Sequence, residues 1–130
     1  MKIEDNVLNL PLIGPGPTYE GVHIWLPQLV IEAAQRGEAE IAGRTFRDCF
    51  FEGPAVLLAL GACTFDGCNM GDAMGDPRNL LLDPRGPQKV TGAVPLRDCT
   101  FTNCRFLRVG YTGAPQFLDN IQQVLQGASR

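Results

Sequence analysis

The residues of this chain best able to do chemistry are its five cysteines: Cys49, Cys63, Cys68, Cys99 and Cys104. Cys63-x4-Cys68 and Cys99-x4-Cys104 have the outline of a four-thiolate zinc site. Structural zinc sites set a pair about two to four residues apart in a tight knuckle. Here the spacing coincides with a period that runs through much of the chain, and cysteine is among the residues most often fully buried. Core packing is therefore expected of all the cysteines, and no metal or other cofactor is expected.

Nucleophilic catalysis is poorly provided for. The single serine is Ser129, beside the C-terminus, and the single histidine is His23, near Trp25 and outside any motif. A reactive Cys–His pair needs an exposed thiol and an activating charge, whereas these cysteines fall at positions expected to face inward. Asp72 and Asp76, flanked by Asp66 and Asp83, offer carboxylates for calcium or for glycoside hydrolysis. They sit in Gly71-Asp72-Ala73-Met74-Gly75-Asp76, a composition that favours tight turns. Gly14-Pro15-Gly16 lacks the lysine of a phosphate loop. No catalytic, cofactor-binding or metal-ligating residue is assigned, and the chain is not expected to be an enzyme.

The elements that would position these residues follow a period of five. Ile41, Phe46, Phe51 and Val56 are five apart. So are Leu60, Phe65 and Met70, and again Leu96, Phe101, Phe106 and Tyr111. A small or apolar residue precedes most of these by two, including Cys49, Cys63, Cys68, Cys99 and Cys104; Arg44 breaks the rule. The expected core is Ile41, Phe46, Cys49, Phe51, Val56, Cys63, Phe65, Cys68, Met70, Leu96, Cys99, Phe101, Cys104 and Phe106. Five matches neither a helix nor a strand. It suits a chain that turns a corner every five residues and stacks its coils like parallel strands.

Cys99-Thr100-Phe101-Thr102-Asn103 thereby resembles the pentapeptide-repeat family, whose repeat reads Ala-(Asp/Asn)-Leu-x-x, with Cys in the Ala place and Phe in the Leu place. The middle position departs from it at Thr64, Asn69, Thr100 and Arg105. The likeness covers residues 39–70 and 94–111. It implies an all-β fold: a small right-handed parallel β-helix, a solenoid of three- or four-sided coils.

One domain of 130 residues is expected. Residues 1–38 would cover one end of it, with a strand near Val22–Leu26 and a helix or strand over 27–36. Residues 39–70 and 94–111 would form the five-residue coils. Residues 71–93 would be a loop-bearing coil with one strand at Leu80–Leu82. Residues 115–126 read as an amphipathic α-helix, opened by Pro115 and ended by Gly127. Its apolar stripe is Phe117, Leu118, Ile121, Val124 and Leu125, suited to capping the solenoid or pairing two chains.

A net charge of −3 gives no basic face for nucleic acid and no attraction to anionic lipid. No apolar run approaches the ~20 residues of a membrane span. An N-terminus without an apolar signal core, together with an odd cysteine count, points to the cytoplasm and free thiols.

The expected role is a non-enzymatic structural or protein-interaction module, partnered by a second copy of itself or by another protein. Two alternatives differ in class. An acidic nucleic-acid mimic acting on a topoisomerase would need a dense acidic stripe, but the outward charges Arg47, Asp48, Glu52, Asp66, Arg97, Asp98, Arg105 and Arg108 are mixed. A ligand binder or carbohydrate-active enzyme would use the 71–93 loop and His23.

Overall fold

The computed structural model describes residues 11–72, 76–86 and 89–128, with side chains as far as Gln123. The elements run β1 (Thr18–Glu20), β2 (His23–Trp25), α1 (Leu26–Gln35), β3 (Ile41–Ala42), β4 (Thr45–Arg47), β5 (Phe50–Ala59), β6 (Thr64–Asp66), a 3-10 turn (Pro77–Leu80), β7 (Leu81–Leu82), β8 (Val94–Arg97), β9 (Thr100–Thr102), β10 (Arg105–Gly113) and α2 (Pro115–Ala128).

Strands β1, β4, β9 and β6 share one motif: threonine, an aromatic ring, then a polar or charged residue. Pleating sends the ring to one face and its two neighbours to the other. The four strands pair in parallel in the order β1-β4-β9-β6. Their rings stack at the strand spacing: Tyr19 on Phe46 at 4.8 Å, Phe46 on Phe101 at 5.0 Å and Phe101 on Phe65 at 4.6 Å. A second stack, Phe51 on Phe106 at 4.9 Å, meets the first edge-on.

The turn that follows each of these strands is specified residue by residue. Gly21, Asp48, Asn103 and Gly67 take φ of 64°, 52°, 53° and 64°. Glycine, asparagine and aspartate are the residues that visit this left-handed region routinely, so the corner is encoded in residue type. Beyond it the chain enters a second parallel sheet, ordered β3-β8-β5-β10-β7, with β2 also paired to β5.

The expected right-handed β-helix is not the architecture that forms. The two parallel sheets do not close into a solenoid, and helices α1 and α2 accompany them, so the chain is α/β in class rather than all-β. The physical reason lies in the strand order. A solenoid lays each coil on the one before it in sequence. Here β9, which follows β6 in the chain, lies between β4 and β6. The five-residue period sets which way each side chain points within a strand, but not which strands become neighbours.

Of the residues expected in the core, Ile41, Phe46, Cys49, Phe51, Met70, Leu96, Cys99, Phe101, Cys104 and Phe106 are buried. Cys63, Phe65 and Cys68 are partly buried against them, and Val56 is partly exposed. Arg44 occupies the place beside Cys99 that a small residue takes elsewhere, and its guanidinium is buried. It donates to Tyr19 Oη at 3.2 Å and to Glu38 Oε1 at 2.6 Å, which satisfies the charge inside the fold.

The 27–36 ambiguity resolves as helix. Pro27 sits in the first turn of α1, where a missing N–H costs nothing, and Leu26, Leu29 and Ala33 face inward. Glu32 is buried with them. Its carboxylate accepts from the backbone N–H of Ile13 at 2.9 Å and of Gly14 at 3.0 Å, tying the 13–17 loop to the helix. Tyr19 Oη donates to the Gly14 carbonyl at 2.8 Å. The β1 end of the ring stack is thereby covered. Residues 1–10 lie outside the described residues.

In the 71–93 segment, Leu81–Leu82 pairs with β10 and the 3-10 turn precedes it. Residues 73–75 and 87–88 lie outside the described residues. Helix α2 runs on through Gly127 to Ala128. It buries Leu118 and Ile121 and leaves Phe117 half-buried; the side chains of Val124 and Leu125 lie outside the described residues. Ile121→Asp will place an unpaired carboxylate at this buried contact and lower stability by about 3 kcal/mol. A urea midpoint equal to that of the parent chain would rule out the contact.

Candidate functional site

Parallel register sorts the cysteines into two columns. Thr64 lies opposite Thr100, so Cys63 lies beside Cys99. Phe50 lies opposite Arg105 and Asn69 opposite Arg105 on the other side, which lines up Cys49, Cys104 and Cys68. The four thiols of the two x4 spacings are thus divided between columns and do not converge on a point. Among the described residues no group of three or more histidine, cysteine or acidic side chains could hold a metal.

All five thiols point their S–H groups at backbone carbonyls. Cys99 donates to Ile41 O at 3.3 Å and Cys104 to Phe46 O at 3.4 Å. Burial pushes the Cys49, Cys63 and Cys99 thiols up. Cys68 and Cys104 stand side by side, and Cys68 donates to Phe101 O at 3.4 Å. The neighbouring Cys104 thiol pulls the Cys68 thiol down to about 7, while the Cys68 thiol and burial together push Cys104 up.

His23 is exposed at the start of the second sheet. Its Nε2 lies 3.0 Å from Glu52 Oε1, and Arg108 Nη2 donates to Glu52 Oε2 at 3.0 Å. These two bonds, His23 first, hold the Glu52 carboxyl below the usual carboxylate range. The pair borders a cleft of about 530 Å³ lined also by Trp25, Gln28 and Leu12. Sequence reasoning missed Glu52 because strand pairing between β2 and β5, not proximity in the chain, brings it to His23. Among the described residues no serine, threonine or cysteine accompanies the pair in the cleft lining.

Of the four candidate aspartates, Asp76 acts as a turn former. Asp76 caps the 3-10 turn by accepting from Arg78 N at 3.0 Å and pairs with the Arg78 guanidinium at 2.8 Å, which lowers its carboxyl. Asp72 and Asp83 are exposed on the same segment, and Asp66 is exposed on β6. Ser129 lies outside the described residues.

The least satisfied part of the fold is the outer edge of β6. This strand pairs with β9 on one side and, among the described residues, with no strand on the other. Thr64 N–H donates to Cys99 O at 3.0 Å, and Asp66 O accepts from Asn103 N–H at 2.9 Å, so both residues turn their backbone groups toward β9. Alternation then turns the N–H and C=O of Phe65 off the edge. The Phe65 ring is only partly covered, by Phe117 at 6.1 Å and a tilt of 43°. A cavity of about 420 Å³ remains between β6, Cys68, Met70 and the α2 residues Phe117, Asn120 and Ile121.

No family model, curated protein or solved structure matches the chain. The likeness to pentapeptide repeats therefore rests on the repeat residues alone, and the chemistry must be argued from the geometry. Among the described residues no helix is long and apolar enough to cross a membrane.

Proposed function

We propose that this chain is a non-enzymatic interaction module that assembles with a second copy of itself through the outer edge of β6. The observation that carries the reading is the asymmetry of the ring stack. Its β1 end is covered by the 13–17 loop, which Glu32 and Tyr19 hold down. Its β6 end stops at a half-buried phenylalanine beside an open strand edge. Uncovered strand edges tend to pair.

The edge is self-complementary. In an antiparallel pair, one residue on each strand exchanges both of its backbone bonds with the residue opposite. Phe65 is the residue of β6 that offers both outward. A twofold axis at Phe65 pairs it with the partner copy's equivalent residue and brings the two rings together. The same axis sets each Thr64 opposite an Asp66 carboxylate, a hydroxyl-to-carboxylate match made twice. Twofold dimers are the commonest assembly of soluble chains. A cytoplasmic setting, where thiols stay reduced, fits five free cysteines.

Light scattering tests the reading. The parent chain is expected to run as a dimer. Thr64→Asp sets two like charges opposite each other, twice over, at about 0.2–1 kcal/mol each; the dimer will dissociate at up to roughly thirtyfold higher concentration. Adding Asp66→Lys restores opposite charges and should restore the dimer. A parent chain that stays monomeric at high concentration overturns the reading, as does a dimer indifferent to both changes.

A further inference from the structure

Cys68 combines two features that together define a redox site, and it shares both with Cys63 alone. It lines the cavity beside β6, so small solutes reach it, whereas Cys49, Cys99 and Cys104 are buried. It also stands directly beside another thiol. The bridge between Asn69 and Arg105 places Cys68 opposite Cys104 on the neighbouring strand. Neighbouring strands lie about 4.8 Å apart, inside the Cα separation of roughly 4.4–6.8 Å that a disulfide spans.

We propose that Cys68 is a site of oxidation by hydrogen peroxide and that Cys104 resolves it as a disulfide. The Cys68 thiolate attacks one peroxide oxygen. The O–O bond breaks, hydroxide leaves and takes up a proton as water, and Cys68 becomes a sulfenic acid. The Cys104 sulfur then attacks the Cys68 sulfur. The S–S bond forms, the S–O bond breaks, and the Cys104 proton leaves with the hydroxyl as a second water. Two thiols and one peroxide give one disulfide and two waters, with two electrons passing from sulfur to oxygen.

Local chemistry favours Cys68 over Cys63, which lines the same cavity and lies beside Cys99. The thiolate is the reacting form. The adjacent Cys104 thiol favours it at Cys68. At Cys63 burial disfavours it, and the nearby Asp98 carboxylate adds repulsion. Low-pKa, accessible thiols beside a resolving cysteine are the ones that climb the oxidation ladder reversibly. The product would tie the chain just beyond β6 to the start of β10. The inference does not rest on the pairing of β6 edges.

The test treats the native full-length chain with one equivalent of hydrogen peroxide and maps it by mass spectrometry without reduction. The expected product is lighter by two hydrogens and yields a Cys68–Cys104 linked peptide, reversed by dithiothreitol. Thr64→Asp should give the same peptide whether or not the parent chain is a dimer. Cys104→Ser should stop at a sulfenic acid on Cys68 that dimedone captures. Should that variant fold poorly, alkylation of the parent chain by iodoacetamide across pH gives a second reading, with Cys68 reacting half-maximally near pH 7 and Cys63 only at higher pH. Retention of both thiols after peroxide overturns the proposal. So does a linkage of Cys63 to Cys99 or of Cys49 to Cys104 in its place, or a Cys68 that alkylates no faster than Cys63.

Discussion

Phe101→Ala will destabilise the chain by about 3–5 kcal/mol, the range for truncating a buried aromatic ring. Phe101, like Phe46, has parallel partners on both faces, Phe46 at an interplanar angle of 9° and Phe65 at 1°. It also meets Phe51 and Phe106 edge-on or tilted. Removing it opens a void where both aromatic stacks meet, and neighbours locked at the strand spacing cannot collapse into it. Offset and edge-on ring pairs add about 0.5–1.5 kcal/mol each beyond area burial, so the upper part of the range is expected. Phe65→Ala provides the contrast: that ring has one stacked partner and a partly open face, and its loss should cost less than half as much. Urea unfolding monitored by circular dichroism measures both. Equal midpoints for the two variants would mean that Phe101 is not the centre of the core.

Much of the local structure was legible in the sequence. The direction of each ring and thiol follows from strand alternation plus a corner every five residues. The C-terminal helix followed from the stripe through Leu118 and Ile121. The order of the strands was not legible. The triplets Thr45-Phe46-Arg47, Thr64-Phe65-Asp66 and Thr100-Phe101-Thr102 are chemically interchangeable as neighbours, because each offers a threonine, a ring and a polar end at the same register. Nothing local makes β4 choose β9 over β6, and that choice removes the β-helix.

The candidate sites were legible to different degrees for related reasons. The cysteines could be assigned an inward direction, but that Cys68 ends half-buried depends on β6, which precedes it, being the last strand in its sheet. Arg44 stood out as an exception to the repeat. Its partners Glu38 and Tyr19 could not be named, because a salt bridge over a helix–sheet junction leaves no period. His23 looked isolated for the same reason, its partner Glu52 being supplied by strand pairing.

Gly53→Ala is expected to be about as damaging as the loss of Phe101, for a purely steric reason. At Gly53 strands β5 and β10 fall out of step: Glu52 pairs with Leu107 and Ala55 with Val109, which leaves Gly53 and Pro54 facing Arg108 alone. Arg108 takes a φ of 57°, and its carbonyl turns into the space a side chain would need. A Cβ on residue 53 would lie 1.9 Å from that oxygen and 2.7 Å from the backbone nitrogen of Ala55. Both obstacles are main chain, so no rotamer change relieves the clash, and β10 must separate locally from β5. A cost of about 3–5 kcal/mol follows, at the upper end for single substitutions. Gly43→Ala separates this cause from backbone conformation. Gly43 has a φ of 65° but open space around it, so only the left-handed penalty of about 1–2 kcal/mol applies. Because Arg108 also holds Glu52, which faces His23, the Gly53 variant should in addition shift the His23 ring resonances in NMR spectra, while the Gly43 variant leaves them in place. A Gly53→Ala protein no less stable than Gly43→Ala would mean that the two strands do not approach this closely.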